Sequence, residues 1–188
     1  VAYDLHMLIF YITVVIGIVV FGAMLYSIMY HRKSLGYKPA KFHESTKVEI
    51  IWTVIPFIIL VGMAVPATKA LIMMEDTRDS EITLKVTGYQ WMWQYEYLED
   101  NVTFFSKISD ESNTARRLGS GVDVTTVENY LRDVDHAIVL PTNTKVRILL
   151  TANDVIHAWW VPELGGKKDA IPGYVNEIWV DIKEPGTY

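Results

Sequence analysis

Three features of this sequence combine residue types and settings that suit chemistry: one histidine, one aromatic stretch and one carboxylate at the edge of an apolar run. His157 lies in Asp154-Val155-Ile156-His157-Ala158-Trp159. An imidazole titrates near neutrality and ligates metals, although a lone histidine inside an apolar strand is ordinarily a hydrogen-bonded core residue. The aromatic stretch is Gly88-Tyr89-Gln90-Trp91-Met92-Trp93-Gln94-Tyr95-Glu96-Tyr97. Its alternation predicts a strand with Trp91, Trp93, Tyr95 and Tyr97 on one face, for which core packing is the default explanation. Glu49 opens a long uncharged run, and an ionisable group there is a functional candidate. An acid in the first turn is also favoured by the helix dipole in any protein. The sequence has no cysteine, and it carries no phosphate loop, nucleophile elbow or zinc-protease motif. Hydrolytic chemistry has no support.

The elements that position these residues start with two apolar runs. Leu5 to Tyr30 and Ile50 to Thr68 contain no formal charge, and each is close to or above the roughly 20 residues that cross a bilayer. The second contains Pro56 and Pro66, which membrane helices tolerate. Together they predict a transmembrane hairpin over residues 1–70, with spans at about 5–30 and 50–68, and hence a lipid membrane as partner. The loop between them carries Arg32, Lys33, Lys38, Lys41 and Lys47 against the single acid Glu44. Positive loops stay inside, so both chain ends and the large C-terminal part are expected on the outer side. That is the periplasm of a bacterium or the intermembrane space of a mitochondrion.

After a polar linker at 71–80, residues 81–188 read as one strand-rich outer domain. Strand-like runs are expected within Ile82–Tyr97, Ala137–Leu140, Lys145–Thr151, Val155–Val161 and Tyr174–Ile182, separated by Pro, Gly and Asn turns, which suggests a β-sandwich. The weakly hydrophobic segment at about 98–132 reads as an insertion or surface excursion. Residues 71–188 hold 11 Lys and Arg against 19 Asp and Glu, a net charge of −8, whereas residues 1–70 have +3. Such an acidic domain is suited to a basic partner by long-range steering; no nucleic-acid partner is expected.

The aromatic stretch and the Asp-Val-x-His-x-Trp segment, in this order, resemble the second subunit of the cytochrome c oxidases. The resemblance extends to Lys47-Val48-Glu49-Ile50-Ile51-Trp52-Thr53-Val54-Ile55-Pro56 at the start of the second span and to Glu184-Pro185-Gly186-Thr187-Tyr188 at the last strand. It implies a cupredoxin-like Greek-key sandwich holding a binuclear copper A centre. That centre accepts electrons from cytochrome c and passes them to haem in subunit I, which holds a further copper and reduces oxygen with proton pumping. By the same resemblance His157 is the first histidine ligand of copper A, and imidazole with thiolate suits copper. The other ligands are expected in a loop beginning just after Tyr188. The C-terminal end of the domain is therefore expected to be missing, since Pro185-Gly186-Thr187-Tyr188 would leave a sheet edge unfinished.

Further roles follow from the resemblance alone. Trp91 corresponds to the electron-entry tryptophan, and Glu49 to the carboxylate at the entrance of a proton pathway. Asp135 and Asp154 belong to the cytochrome docking face, with Glu99 or Asp100 as weaker candidates. Tyr89 stands where many members have histidine. Implied partners are subunit I, the other oxidase subunits and cytochrome c. Two competing readings are a quinol oxidase subunit II without copper and a non-catalytic anchored β-domain for complex assembly. The Asp154–Trp159 segment argues against the first, and neither Trp91 nor His157 is needed by the second.

Overall fold

The computed structural model describes residues 2–38 and 40–188, and the chain divides into two compact units, residues 1–73 and 74–188. In the first, helices α1 (Ala2–Tyr30) and α2 (Thr46–Glu75) are joined by a loop with a 3-10 turn at Lys33–Leu35. Both helices expose large apolar side chains around their whole circumference. Water would not tolerate such helices unless another apolar phase covered them. Each is long and apolar enough to cross a membrane.

Helix α2 is longer than its uncharged stretch. Residues 71–75, expected in the linker, are its last turn, and it starts at Thr46 rather than near 50. Polarity marks where a helix leaves the apolar layer; its hydrogen bonds continue as long as the residues, here Leu71, Ile72, Met73 and Met74, are good helix formers.

The second unit has two sheets. Strands β1 (Ile82–Tyr89), β2 (Met92–Tyr97), β3 (Val102–Ser106), β4 (Lys145–Ala152) and β7 (Asn176–Asp181) form one sheet in the order β3-β2-β1-β4-β7. The pair β1 and β4 is parallel, and its neighbours are antiparallel. The second sheet is the hairpin of β5 (His157–Trp160) and β6 (Lys167–Ala170). The architecture is the expected cupredoxin-like sandwich with two apolar helices before it. Strand β4 buries every second residue, Val146, Ile148, Leu150 and Ala152, the period of a half-buried strand. These pack with Leu84, Val86, Tyr95, Trp159, Ala170 and Val180 in one core. Trp159 Nε1 donates to the Tyr95 hydroxyl at 3.2 Å, joining the two sheets, and burial pushes the Tyr95 phenol above its ordinary range.

Four strand expectations need correction. The stretch from Ile82 to Tyr97 is a hairpin, with its turn at Gln90 and Trp91. Trp93, Tyr95 and Tyr97 do share the core-facing side of β2, but Trp91 lies in the turn, 79% exposed. Ala137–Leu140 forms no strand. Its backbone is held instead by the Tyr97 hydroxyl, which donates to Val139 O and accepts from Val139 N at 2.8 and 3.0 Å, while Ile138 and Leu140 pack on the core. Within 98–132, Val102–Ser106 is a strand paired to β2 and Asp110–Ala115 is a short helix, α3. The β-branched and aromatic residues of Val102-Thr103-Phe104-Phe105 suit a strand, and the charged residues around them dilute that signal. Glu184–Tyr188 is not a strand: Pro185 has no N–H to give a ladder, and the Tyr188 hydroxyl turns back to Glu184 O at 2.7 Å.

Candidate functional site

Gly88 sits near the end of β1, opposite Trp93 on β2 and Ala152 on β4. Its missing side chain is where His157 packs: a Cβ at Gly88 would lie 2.7 Å from the ring's Cδ2 and 2.8 Å from Cγ. A glycine inside a strand marks such a close approach, and this signal was available in the sequence. Trp93 meets the same ring edge-on, with centroids 5.6 Å apart. His157 is thereby fixed between two strands at one end of the sheet.

The third support is Asp154. Its Oδ1 lies 2.7 Å from His157 Nε2 and accepts from Val155 N at 2.7 Å, while Oδ2 accepts from Gln90 N at 2.7 Å. Asn153 N donates to Gly88 O at 3.0 Å, tying the same loop to β1. The hydrogen bond with His157, followed by those from Val155 and Gln90, holds the Asp154 carboxyl below its usual range against the cost of desolvation. A carboxylate only accepts, so Nε2 carries the proton and, in the neutral ring, Nδ1 keeps its lone pair. A carboxylate behind a histidine in this way is how proteins fix the tautomer of a metal-binding imidazole. One aspartate therefore sets both the His157 tautomer and the turn that displays Trp91.

Trp91, Trp93, Tyr89 and His157 line one cleft, whose other wall is Ser106–Ile108 and Leu131–Val134. Apart from Asp133 and Val134, that wall lies within the segment read as an excursion. Ser112 of α3, fully buried, accepts from Leu131 N at 3.2 Å, and Ser109 N donates to Asp133 O at 3.0 Å. Asp135 accepts from Lys107 N at 2.9 Å, and Asp135 N returns to Lys107 O at 3.0 Å. Desolvation works against the charged Asp135, but the Lys107 N–H and the neighbouring His136 outweigh it and its carboxyl stays low. Glu99 accepts from Thr83 N through both oxygens, which lowers its carboxyl. Trp91, His157, Asp154 and Asp135 thus belong to one end of the sandwich or its adjoining wall, whereas Glu49 lies in the first turn of α2 in the other unit.

Residues 82–188 match the family described as cytochrome C oxidase subunit II, periplasmic domain, and residues 2–70 match its transmembrane domain. The chain belongs to the cytochrome c oxidase subunit II family. The two apolar helices are accordingly a transmembrane domain and the sandwich a periplasmic-type domain. A probable cytochrome c oxidase subunit 2 of Rickettsia prowazekii (strain Madrid E) is 41% identical over 187 residues, 99% of this chain and 56% of the relative. The cytochrome c oxidase subunit 2 of Ctenocephalides felis is 36% identical over 182 residues, 97% of this chain and 72% of the relative. A solved periplasmic domain of cytochrome oxidase subunit II from Bradyrhizobium japonicum is 32% identical, with a TM-score of 0.49, covering 58% of this chain and 70% of that one. The chain spans only part of the length of the Rickettsia relatives it matches, 56% of the Rickettsia prowazekii protein and 65% of the Rickettsia bellii one.

The family implies copper A, and the residues present here do not fit that centre by themselves. Residues 1–188 hold no cysteine, and among the described residues no three His, Cys, Asp or Glu side chains converge as a metal site. His157 is a single imidazole with one nitrogen free.

Proposed function

We propose that the full protein containing this chain is the subunit of a respiratory terminal oxidase that takes electrons from cytochrome c on its outer domain. Onward transfer to haem in subunit I, oxygen reduction and proton pumping belong to the assembled complex. The observation that carries this reading is the pairing at the end of β1: an indole displayed to solvent, Trp91, and a tautomer-fixed imidazole, His157, facing one cleft, with Asp154 bonded both to the imidazole and to the Gln90 N–H of the turn that carries the indole.

In this reading Trp91 is the point of electron entry. His157 would be one imidazole ligand of a binuclear copper A centre, offering Nδ1 while Asp154 holds Nε2, and the thiolates of such a centre would have to come from outside residues 1–188, which hold no cysteine. Asp135 and Asp154 contribute negative charge to the docking face, in addition to the backbone bonds they make. Glu49 serves at the entrance of a proton pathway on the inner side. The complex resides in a bacterial inner membrane with this domain in the periplasm, or in the mitochondrial inner membrane with it in the intermembrane space.

The test is the reduction rate of the full oxidase by cytochrome c compared with that by a small inorganic donor. Trp91→Ala is expected to slow cytochrome c by about thirtyfold or more, the scale of losing an interfacial tryptophan anchor, and to leave the small donor little changed. Equal slowing of both, or of neither, would contradict the entry role. Association should also slow as salt rises, since steering is screened over about 8–10 Å at physiological ionic strength.

A further inference from the structure

The loop from His31 to Lys47 carries five cations, Arg32, Lys33, Lys38, Lys41 and Lys47, and one acid, Glu44. Among the described residues none of the five meets a carboxylate. In the outer domain, by contrast, six of the eleven cations, Arg78, Lys85, Lys107, Arg147, Lys168 and Lys183, pair with an acid. A cluster of like charges repels itself, and anions gathered beside it lower that cost.

Aromatic side chains lie between and beside these charges. Tyr26 and Tyr30 pack at 4.8 Å, His31 stands edge-on to Tyr26 at 5.6 Å, and Tyr37 stands edge-on to His31 at 5.3 Å. The fold-back that brings Tyr37 to His31 is the 3-10 turn Lys33–Leu35, closed by Gly36 at φ 77° with its N–H on Lys33 O. Tyr30, Tyr37 and Phe42 remain more than half exposed. Tyrosine clusters at a span end are at home at headgroup depth, where one side is apolar and the other wet. The sign of the loop follows from orientation alone. Its unpaired state and the ring cluster that seats it at that depth do not.

We propose that this loop is a binding surface for anionic phospholipid of the inner leaflet. Both of its ends continue into transmembrane helices, so it lies against the headgroups, where the available counter-anions are lipid phosphates. Arg32 and Lys33, on the turn, and Lys38 and Lys41, beyond it, take the phosphates; Tyr30, Tyr37 and Phe42 lie along the glycerol boundary. The inference rests on the transmembrane assignment and the inside-positive orientation and is independent of the electron-transfer reading.

The experiment uses the complete purified oxidase in nanodiscs of phosphatidylcholine with a minor fraction of phosphatidylglycerol, carrying a photoactivatable phosphatidylglycerol probe. Cross-linked peptides are mapped by mass spectrometry. Labelling is expected in residues 31–47, above that of a matched phosphatidylcholine probe, and falling about fivefold for each charge removed in Lys33→Gln, Lys38→Gln and Lys41→Gln. Lys85→Gln on the outer domain should not change it. If the triple variant does not assemble, the wild-type complex decides: labelling of the loop should weaken as ionic strength rises. Equal labelling by the two probes, labelling insensitive to salt, or cross-linking of the loop to an acidic segment of another subunit in place of lipid would each overturn the proposal.

Discussion

The two units of this chain hold themselves together by opposite means. In residues 74–188, two layers of strands bury Leu84, Val86, Ile148 and Leu150 completely, six of the cations have acidic partners, and loop amides are capped by Asp135, Asp154 and Glu99. In residues 1–73 the large apolar side chains are mostly exposed, and among the described residues the loop cations meet no carboxylate. The outer domain satisfies most of its own groups, whereas the hairpin leaves its apolar surface for another apolar phase to cover. Mutations should therefore be felt inside the first and tolerated on the second.

The sharpest test of that contrast is truncation of equivalent side chains. Ile148→Ala in β4 should lower the stability of the outer domain by about 2–5 kcal/mol, the usual cost of an emptied core site. Leu60→Ala on α2, whose side chain is exposed, should leave unfolding in bilayers unchanged, because lipid tails replace the lost contacts. Chemical denaturation of the two variants in nanodiscs checks both. Next in size is Gly88→Ala, which forces a methyl to 2.7 Å from the His157 ring. Overpacking of this kind costs about 1–3 kcal/mol, and the imidazole resonances of His157 should shift with the loss in Tm.

Ser112→Ala removes the buried hydroxyl that accepts from Leu131 N. A loss of about 1–3 kcal/mol is expected for the unsatisfied amide, seen as faster hydrogen exchange at Leu131 with exchange in β1 unchanged. Exchange that stays slow would mean that the cleft wall is held by something else. The capping acids predict a pH effect confined to the same unit. Asp135 and Glu99 have folded-state carboxyls below their ordinary values, so their contribution is present above the unfolded carboxylate range near pH 4. It is lost as pH falls through the lower folded values. The wall and the β2–β3 turn should loosen first on acidification, and Asp135→Asn and Glu99→Gln should flatten that response. The smallest effect is that of Lys85→Gln, whose half-exposed pair with Glu96 is worth at most about 1 kcal/mol.

Much of this was legible in the sequence, and the misses share a cause. Uncharged runs placed both helices, since the bilayer reads composition directly. The strand-like run Lys145–Thr151 is β4, whose alternate burial is the period such a run implies. The aromatic stretch misled because alternation is indifferent to reversal: Trp91 and Trp93 keep their parity across the Gln90–Trp91 turn, but one is in solvent and the other on His157. The strand and helix within 98–132 are hard to read because their order comes from pairings far apart in sequence, such as Ser112 with Leu131 and Lys107 with Asp135 just beyond that segment. His157 was singled out by its setting, but its tautomer depends on Asp154 meeting it in space. The glycine that makes room for the ring was missed because a strand glycine announces a close approach without naming what approaches.

Whether His157 Nδ1 would hold copper in the full-length protein decides between the proposed reading and its competitors. Electron-nuclear double resonance on the oxidised full-length oxidase, with copper counted in this subunit, tests it most directly. Two coppers with a nitrogen coupling that disappears in His157→Gly, while Asp154→Asn retains the metal with an altered coupling, is the predicted result. A subunit without copper, or a copper signal indifferent to His157→Gly, would contradict it.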